Sequence, residues 1–198
     1  MRTVEPAGTA LFLKRWLRRP FSTGAVMPSG RLLAEAMAQA TLAEVTGRAG
    51  YVVELGAGTG EVTKALLAAG LAPDRLVLVE RDPEFASFLR RHFQGPRIVE
   101  GDAARLPRLL HEQGIAPVAT VVSSLPLLSL PADVVHGIVT GVFEALPRGA
   151  ALVQFTYGPT PPVPRALRQH FRLIGAHGPR IWRNVPPAVV WTFRRPAA

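Results

Sequence analysis

The chain has 198 residues, of which 48% are hydrophobic, a length that suits one well-packed domain with terminal additions and is short for two. It contains no cysteine, which excludes disulfides, thiolate metal sites and cysteine nucleophiles and fits a reducing compartment such as the cytoplasm. The formal net charge of +9 is concentrated at the ends, with +4 over residues 1–20 and +7 over residues 165–198, so we expect a polyanionic partner, nucleic acid or anionic lipid.

The first predicted element is an amphipathic helix in the segment LFLKRWLRRP, residues 11–20. On a helical wheel, one face holds Phe12, Leu13, Trp16 and Leu17, the opposite face holds Lys14, Arg15, Arg18 and Arg19, and Leu11 falls outside the apolar face. This pattern is typical of helices that lie in the plane of a lipid interface, where each cation contributes about 1 kcal/mol. We predict a membrane-docking helix and connection over residues 1–24 and a globular domain over residues 25–198. A helix packed on the domain and an RNA-binding arm are the alternatives.

No other segment predicts a membrane signal. The cations of residues 11–20 interrupt the N-terminal apolar stretch and argue against a secretory signal. The longest apolar run, residues 118–143, contains Pro126 and Pro131 and several polar side chains, so we predict no membrane span.

From residue 31 onward the sequence alternates between helical and strand patterns. We predict helices over residues 31–46, 61–69, 83–92, 104–113 and 132–146. Short apolar runs rich in β-branched residues predict buried strands over residues 52–55, 76–79, 97–100, 120–123 and 151–155. A proline-rich elbow at residues 159–164 precedes an antiparallel ribbon over residues 173–182 and 188–194. The alternation predicts a doubly wound, mainly parallel sheet, in which ligands bind outside the carboxyl ends of the strands.

The segment ELGAGTG, residues 54–60, follows the first predicted strand and begins a helix. Its glycines permit a tight turn and let a ligand approach the main chain. The G-x-G-x-G spacing differs from the G-x-G-x-x-G dinucleotide motif, and no catalytic Lys/Tyr or His/Arg pair is evident, which disfavours a nicotinamide dehydrogenase. Glu80 ends the second strand, where an acid can bind ribose hydroxyls, and Asp102 follows the third, where a carboxylate can bind an adenine amino group.

These motifs resemble those of the class I S-adenosylmethionine-dependent methyltransferases, with their E/D-x-G-x-G-x-G loop, acidic second-strand end and G-D-A element. The resemblance implies a Rossmann-like seven-stranded α/β sheet with its last strand pair antiparallel. It also implies S-adenosylmethionine as cofactor, released as S-adenosylhomocysteine, and no metal. The expected cofactor-binding residues are Glu54, Gly56, Ala57, Gly58, Gly60, Glu80, Arg81, Asp102, Ala103 and Ser123.

The segment VSSLPLL after the fourth strand, residues 122–128, is named here the acceptor segment, because this position faces the transferred methyl group in such a sheet. Enzymes that methylate adenine or glutamine present Asn/Asp-Pro-Pro-Tyr or Asn-Leu-Pro-Tyr there. In this chain Ser123 and Ser124 replace the amide and Leu127 replaces the tyrosine, which disfavours a nucleobase.

An aliphatic amine is the other acceptor class, and it has a pKa of about 10, so the site must favour its neutral form. An apolar wall with backbone carbonyls, Ser123 or Tyr157 as hydrogen-bond acceptors meets that need. The predicted catalytic residues are Ser123, Ser124, Leu125 and Tyr157, and no dedicated base is evident. Tyr157 also offers a cation–π face, and Arg180 and Arg183 are candidates for binding a phosphate.

Five strings carry a closer resemblance: GAVMPSGRLLAEAM, VVELGAGTGEVTKALL, SSLPLLSLP, QFTYGP and RIWRNVPPAVVW. Together they look like the bacterial PmtA-type phospholipid N-methyltransferases. The resemblance implies methylation of phosphatidylethanolamine toward phosphatidylcholine. We expect a monomer bound peripherally to the inner face of the cytoplasmic membrane, with a phospholipid substrate and an anionic membrane surface as partners and no stable nucleic-acid partner. Ornithine-lipid N-methyltransferases, rRNA adenine N6-methyltransferases and a cofactor-binding regulator without activity are the alternatives.

Overall fold

The computed structural model describes residues 28–158, 160–184 and 186–197. The predicted membrane-docking helix, with Phe12, Trp16 and its other named residues, lies outside the described residues.

Helices and strands alternate along most of the described chain. The helices are α1 (Pro28–Val45), α2 (Glu61–Ala68), α3 (Pro83–His92), α4 (Leu106–Glu112), α5 (Ala132–Ala145) and α6 (Arg165–His170). The strands are β1 (Tyr51–Leu55), β2 (Leu76–Glu80), β3 (Arg97–Glu100), β4 (Val118–Ser123), β5 (Ala151–Thr156), β6 (Ile174–His177) and β7 (Val189–Arg194). Short 3₁₀ turns occupy Pro73–Arg75, Ala103–Arg105 and Leu127–Ser129.

The strands form a seven-stranded sheet in the order β3-β2-β1-β4-β5-β7-β6. Strands β1 to β5 pair in parallel, and β7 pairs antiparallel with both β5 and β6. The predicted fold class, a seven-stranded and mainly parallel α/β sheet with an antiparallel last pair, is therefore confirmed. The strand order reverses between β1 and β4, so a ligand is expected outside the carboxyl ends of these two strands.

Helices cover both faces of the sheet, which explains the continuous apolar runs. Every residue of β2, β4 and β5 is buried. One core cluster joins the sheet to apolar side chains of α4, α5 and α6, and the other joins it to side chains of α1, α2 and α3. Strands buried on both faces read as unbroken hydrophobic segments in the sequence, as predicted.

Helix α1 runs antiparallel to the central strands. Its last turn lies at the amino ends of the strands, because Glu44 forms an ion pair with Arg194, and Arg194 pairs with Ala151 at the start of β5. Since 18 helical residues span about 27 Å, α1 begins near the carboxyl ends of the strands. The chain that precedes residue 28 therefore joins the domain at the edge where a ligand is expected.

Three elements differ between the prediction and the structure. The strand predicted over residues 173–182 covers only Ile174–His177, with an isolated bridge between Ile181 and Ala188 beyond it. The helix predicted over residues 104–113 is divided into a 3₁₀ turn and α4, since Pro107 lies in the first turn of α4 and cannot donate a backbone hydrogen bond. The sequence did not predict α6, which begins directly after Pro164 at the end of the proline-rich elbow. Among the described residues, none of the helices combines the length and apolar character needed to cross a bilayer.

Candidate active site

The glycine-rich loop connects β1 to α2 and is held against β2. Gly56, Gly58 and Gly60 all have positive φ angles, a conformation that other residues rarely adopt. The N–H of Gly56 donates to the carbonyl oxygen of Val79 (2.8 Å), and the N–H of Gly58 donates to Oε2 of Glu80 (2.9 Å). A Cβ atom at Gly56 would collide with the side chain of Leu125, so the loop also packs directly on the acceptor segment.

Glu80 connects the loop to the end of β2. Its carboxylate is almost fully buried, and its second oxygen accepts a hydrogen bond from the N–H of Asp82 (2.9 Å). Each carboxylate oxygen has more than one lone pair, so Glu80 is able to hold the loop and to accept further hydrogen bonds from a ligand's hydroxyl groups. The predicted ribose-binding residue is thus fixed at the edge where β1 and β2 end.

Asp102 lies at the end of β3, beside the same edge. Its Oδ1 accepts a hydrogen bond from the N–H of Ala104 (3.0 Å), and its Oδ2 is 3.8 Å from Nη1 of Arg81. Ala103, which lies between Asp102 and Ala104 in the sequence, is buried. The structure therefore brings the predicted cofactor residues of the first three strands together at one edge of the sheet.

Glu54, near the end of β1, has a fully buried side chain. Oε2 accepts a hydrogen bond from Oγ1 of Thr63 (2.6 Å), and Oε1 lies 3.4 Å from the donating Oγ of Ser124. Burial, assisted by the nearby charge of Glu80, raises the pKa of Glu54 to about 7. Glu54 thus supports the loop from inside and links β1, α2 and the acceptor segment.

The acceptor segment is fixed by hydrogen bonds from its neighbours. The N–H of Ser124 donates to the carbonyl oxygen of Leu55 (2.9 Å), and the N–H of Leu125 donates to Oγ of the buried Ser123 (3.3 Å). Gln154, a buried residue of β5, donates from Nε2 to the carbonyl oxygen of Leu125 (2.8 Å). The predicted residues Ser123, Ser124 and Leu125 are therefore held next to the glycine-rich loop.

Gln154 is a site residue that the sequence reasoning missed. A signal was present, because Gln154 is a polar residue in the middle of the otherwise apolar strand ALVQFT. Buried polar side chains need hydrogen-bond partners, so such a residue predicts a specific contact. Its partner, Leu125, lies 29 positions earlier and was not evident from spacing alone.

Tyr157 follows β5, which neighbours β4 in the sheet. Its ring packs edge-on against Phe155 with the centroids 5.1 Å apart, and one side remains exposed. Partial burial raises the pKa of Tyr157 above its ordinary value of 10. At neutral pH the hydroxyl group therefore keeps its proton, and it serves as a hydrogen-bonding group and not as a base.

Arg180 and Arg183 lie in the connection between β6 and β7, residues 178–188. This connection meets the sheet beside the carboxyl end of β5, because Val189 at the start of β7 pairs with Thr156 at the end of β5. Both arginines are exposed. The structure places them at the same edge as the acceptor segment.

Comparisons with known proteins relate the whole chain to a lipid-modifying enzyme. No family model matches the chain. The ornithine lipid N-methyltransferase of Singulisphaera acidiphila is 32% identical over 190 residues, covering 93% of this chain and 94% of that protein. A probable ribosomal RNA small subunit methyltransferase A of Halobacterium salinarum is 35% identical over 105 residues, which are 52% of this chain and 33% of that longer protein.

Solved structures show the same fold at lower sequence similarity. The 1,6-didemethyltoxoflavin-N1-methyltransferase of Burkholderia thailandensis, solved with bound 1,6-didemethyltoxoflavin and S-adenosylhomocysteine, matches with a TM-score of 0.68 and 17% identity, covering 100% of this chain and 93% of that one. Three observations indicate the same family: the fold, the arrangement of residues at the ends of β1 to β4, and the relative that matches 93% of the chain. The chain belongs to the class I S-adenosylmethionine-dependent methyltransferases, in the family that includes the ornithine lipid N-methyltransferase of Singulisphaera.

Proposed function

We propose that this protein transfers methyl groups from S-adenosylmethionine to the amine of a membrane lipid, with phosphatidylethanolamine and its mono- and dimethyl products as substrates, toward phosphatidylcholine. One observation carries the choice of a lipid amine: the similarity to a lipid N-methyltransferase extends over 93% of the chain, whereas the similarity to rRNA methyltransferases covers about half of it. The absence of a base-stacking tyrosine at Leu127 supports the same choice. The choice of phosphatidylethanolamine among lipid amines rests on the resemblance of the five sequence strings to the phospholipid N-methyltransferases.

The residues at the ends of β1, β2 and β3 fit the cofactor. Glu80 would accept hydrogen bonds from the ribose, Asp102 would contact the adenine amino group, and the backbone at Gly56 and Gly58 would lie against the methionine part. Bound there, S-adenosylmethionine supplies an electrophilic methyl group. The packing of Gly56 on Leu125 supports this assignment, because it sets the cofactor loop directly beside the acceptor segment.

The acceptor segment would receive the amine in its neutral form. The carbonyl oxygen of Leu125 accepts hydrogen bonds from Nε2 of Gln154 (2.8 Å) and from the N–H of Leu127 (3.0 Å), so both of its lone pairs are used. The amine would donate instead to the hydroxyl oxygen of Ser124 or of Tyr157. Leu125 and the buried Leu127 provide the apolar surroundings that disfavour a charged ammonium group. Tyr157, which stays neutral, offers a ring face to a head group that becomes more cationic with each methyl group.

Arg180 and Arg183 would bind the anionic group of the lipid. In phosphatidylethanolamine this group is a phosphate, and in ornithine lipid it is a carboxylate, and guanidinium groups bind both. Ornithine lipid is therefore the second candidate substrate, favoured by the full-length relative. We further propose that the enzyme acts as a monomer at the inner face of the cytoplasmic membrane, where the helix predicted over residues 11–20 would dock.

The test supplies labelled S-adenosylmethionine together with vesicles containing phosphatidylethanolamine, vesicles containing ornithine lipid, or ribosomal RNA. We expect label in phosphatidylethanolamine, and we expect the Tyr157→Ala variant to transfer less. Label only in ornithine lipid would change the substrate but not the reaction. Label in RNA and in neither lipid would contradict the proposal, and binding of the cofactor without transfer to any acceptor would favour a regulator.

A further inference from the structure

Large apolar side chains are rarely exposed in the described part of the chain, and those that are exposed cluster. Four stand out: Leu128 (55% exposed), Tyr157 (40%), Ile174 (58%) and Trp182 (69%). Leu128 follows β4, Tyr157 follows β5, and Trp182 lies in the connection between β6 and β7. Ile174 is the exception, because it pairs with Arg194 at the amino end of the sheet. Three of the four therefore lie at the carboxyl edge that holds the candidate active site.

The connection that carries Trp182 is held in place by its own contacts. Ile181 and Ala188 exchange backbone hydrogen bonds, and Ile181 packs against the core cluster of α1, α2 and α3. The side chain of Asn184 is buried and donates to the carbonyl oxygen of Pro186 (2.6 Å). Trp182 thus follows a residue, Ile181, that is held by its hydrogen bonds with Ala188 and by core packing, so little backbone freedom is lost at this point if the Trp182 side chain enters an apolar environment.

The charge around Trp182 has one sign. The guanidinium carbon of Arg180 lies 4.7 Å from the centre of the Trp182 ring, within cation–π range, and Arg183 follows directly. The sequence from residue 157 to residue 198 contains no acidic residue. Glu80 and Asp102, the acidic residues that we assign to the cofactor, lie at the ends of β2 and β3. These two strands are separated from β5, β7 and β6 by β1 and β4. The part of the carboxyl edge that residues 157–184 contribute is therefore apolar and cationic, and the acid nearest along the chain to Leu128 is the exposed Asp133 in the first turn of α5.

We propose that this edge surface, formed by Leu128, Tyr157, Arg180, Trp182 and Arg183, docks on an anionic lipid bilayer. Trp182 occupies the interfacial region, where tryptophan is enriched because its ring is apolar and its N–H is polar, and the two guanidinium groups contact lipid phosphates. Leu128 favours a bilayer over RNA, since an aliphatic side chain inserts among acyl chains but offers no face to a base. The inference rests on the proposed function and extends it, because docking here turns the acceptor segment toward the lipid head groups.

The test measures binding of the full chain to vesicles that contain no amine lipid, in the absence of S-adenosylmethionine, so that no methyl transfer takes place during the measurement. Vesicles of phosphatidylcholine with phosphatidylglycerol are compared with phosphatidylcholine alone. We expect Trp182→Ala to lower the partition coefficient about tenfold on both, since a buried aromatic side chain is lost from the interface. The double variant Arg180→Gln with Arg183→Gln should have a partition coefficient about tenfold lower on the anionic vesicles and an unchanged one on phosphatidylcholine alone.

The matched control is Ile174→Ala, which removes an equally exposed apolar side chain from the opposite edge and should leave vesicle binding unchanged. Unaltered thermal unfolding of the variants verifies that they remain folded. Binding of the Trp182→Ala and arginine variants equal to that of the unmodified chain would overturn the proposal. The same conclusion would follow if Trp182→Ala weakened binding to a ribosomal RNA fragment and left vesicle binding unaltered.

A second readout separates this inference from the proposed function. Trp182→Ala should methylate phosphatidylethanolamine in vesicles more slowly than the unmodified chain, yet match it on a short-chain phosphatidylethanolamine that dissolves as a monomer. Equal losses on both forms would mean that Trp182 serves the reaction itself, and the docking role would be wrong. A chain that methylates neither lipid but still needs Trp182 for vesicle binding would refute the proposed substrate and support the docking surface.

Discussion

Gln154 donates a hydrogen bond from Nε2 to the carbonyl oxygen of Leu125 over 2.8 Å, and this bond joins β5 to the acceptor segment that follows β4. Both groups lie at the carboxyl edge of the sheet, beside the point where the loop of β1 packs on Leu125. The bond fixes the backbone of the segment that we expect to receive the amine. Gln154 is therefore a positioning residue for the acceptor site.

Replacing Gln154 with leucine should slow methyl transfer about tenfold to hundredfold, because small displacements of a reacting group have effects of that size. The Kd for S-adenosylmethionine, measured by calorimetry, should change little, since β4 lies between β5 and the strand β1 that leads into the glycine-rich loop. Thr120→Val is the matched control: its hydroxyl group also bonds β4 to β5, to the carbonyl oxygen of Ala151 (2.7 Å), but at the amino end of the sheet. Equal loss of activity in both variants would refute the positioning role.

Glu80→Gln should weaken cofactor binding. The carboxylate accepts hydrogen bonds from the N–H groups of Gly58 and Asp82 and, in the proposed complex, from ribose hydroxyls. Hydrogen bonds to a charged group contribute about 1.5–3 kcal/mol, so the Kd for S-adenosylmethionine should rise about tenfold to hundredfold. Glu100→Gln removes the exposed acid at the end of the adjacent strand β3 and should leave the Kd unchanged, as calorimetric titration can check.

Gly56→Ala should affect the fold and the site together. Gly56 has φ +68° and Gly47 has φ +71°, but only at Gly56 would the new Cβ atom meet another side chain, that of Leu125. Gly47→Ala should therefore cost only the backbone penalty, about 1–2 kcal/mol of unfolding free energy. Gly56→Ala should cost about 1–3 kcal/mol more and reduce methyl transfer, because it displaces the acceptor segment. Denaturant unfolding that shows equal losses would contradict the contact with Leu125.

Glu54 should make the stability of the protein depend on pH. Its pKa is raised to about 7 in the folded protein from an ordinary value of 4.5, chiefly by burial. Between these values the folded state holds a proton that the unfolded state has released, so stability falls as pH rises from about 4.5 to 7 and the contribution is lost above 7. Glu54→Gln removes the titration. We expect the unfolding free energy of the variant, measured by denaturant titration, to fall less between pH 4.5 and 7 than that of the unmodified chain. If the two proteins lose stability in parallel over this range, the raised pKa of Glu54 is wrong.

The sequence predicted those parts of the fold that depend on local patterns. Buried parallel strands such as LVLVE are evident as apolar runs. Motif spacing was enough to predict the glycine-rich loop after β1 and the acidic residue Glu80 at the end of β2. Other features depend on contacts between distant segments. The bond between Gln154 and Leu125 forms only when β4 and β5 are adjacent, and the buried Glu54 accepts its hydrogen bonds from Thr63 and Ser124, which lie in two other segments. Helix α6 has only six residues, too few for a helical period to be evident.

The last prediction concerns the helix predicted over residues 11–20, which lies outside the described residues. Since α1 begins near the carboxyl edge, this segment is joined to the domain close to the proposed docking surface. Trp16→Glu should lower cosedimentation of the full chain with anionic vesicles at least tenfold, because it places a charge on the apolar face. Leu11→Glu is the matched control, since it adds the same charge outside that face and should have a much smaller effect. Both variants should bind S-adenosylmethionine normally in calorimetric titrations, and equal cosedimentation of the Trp16→Glu variant and the unmodified chain would show that this segment does not dock.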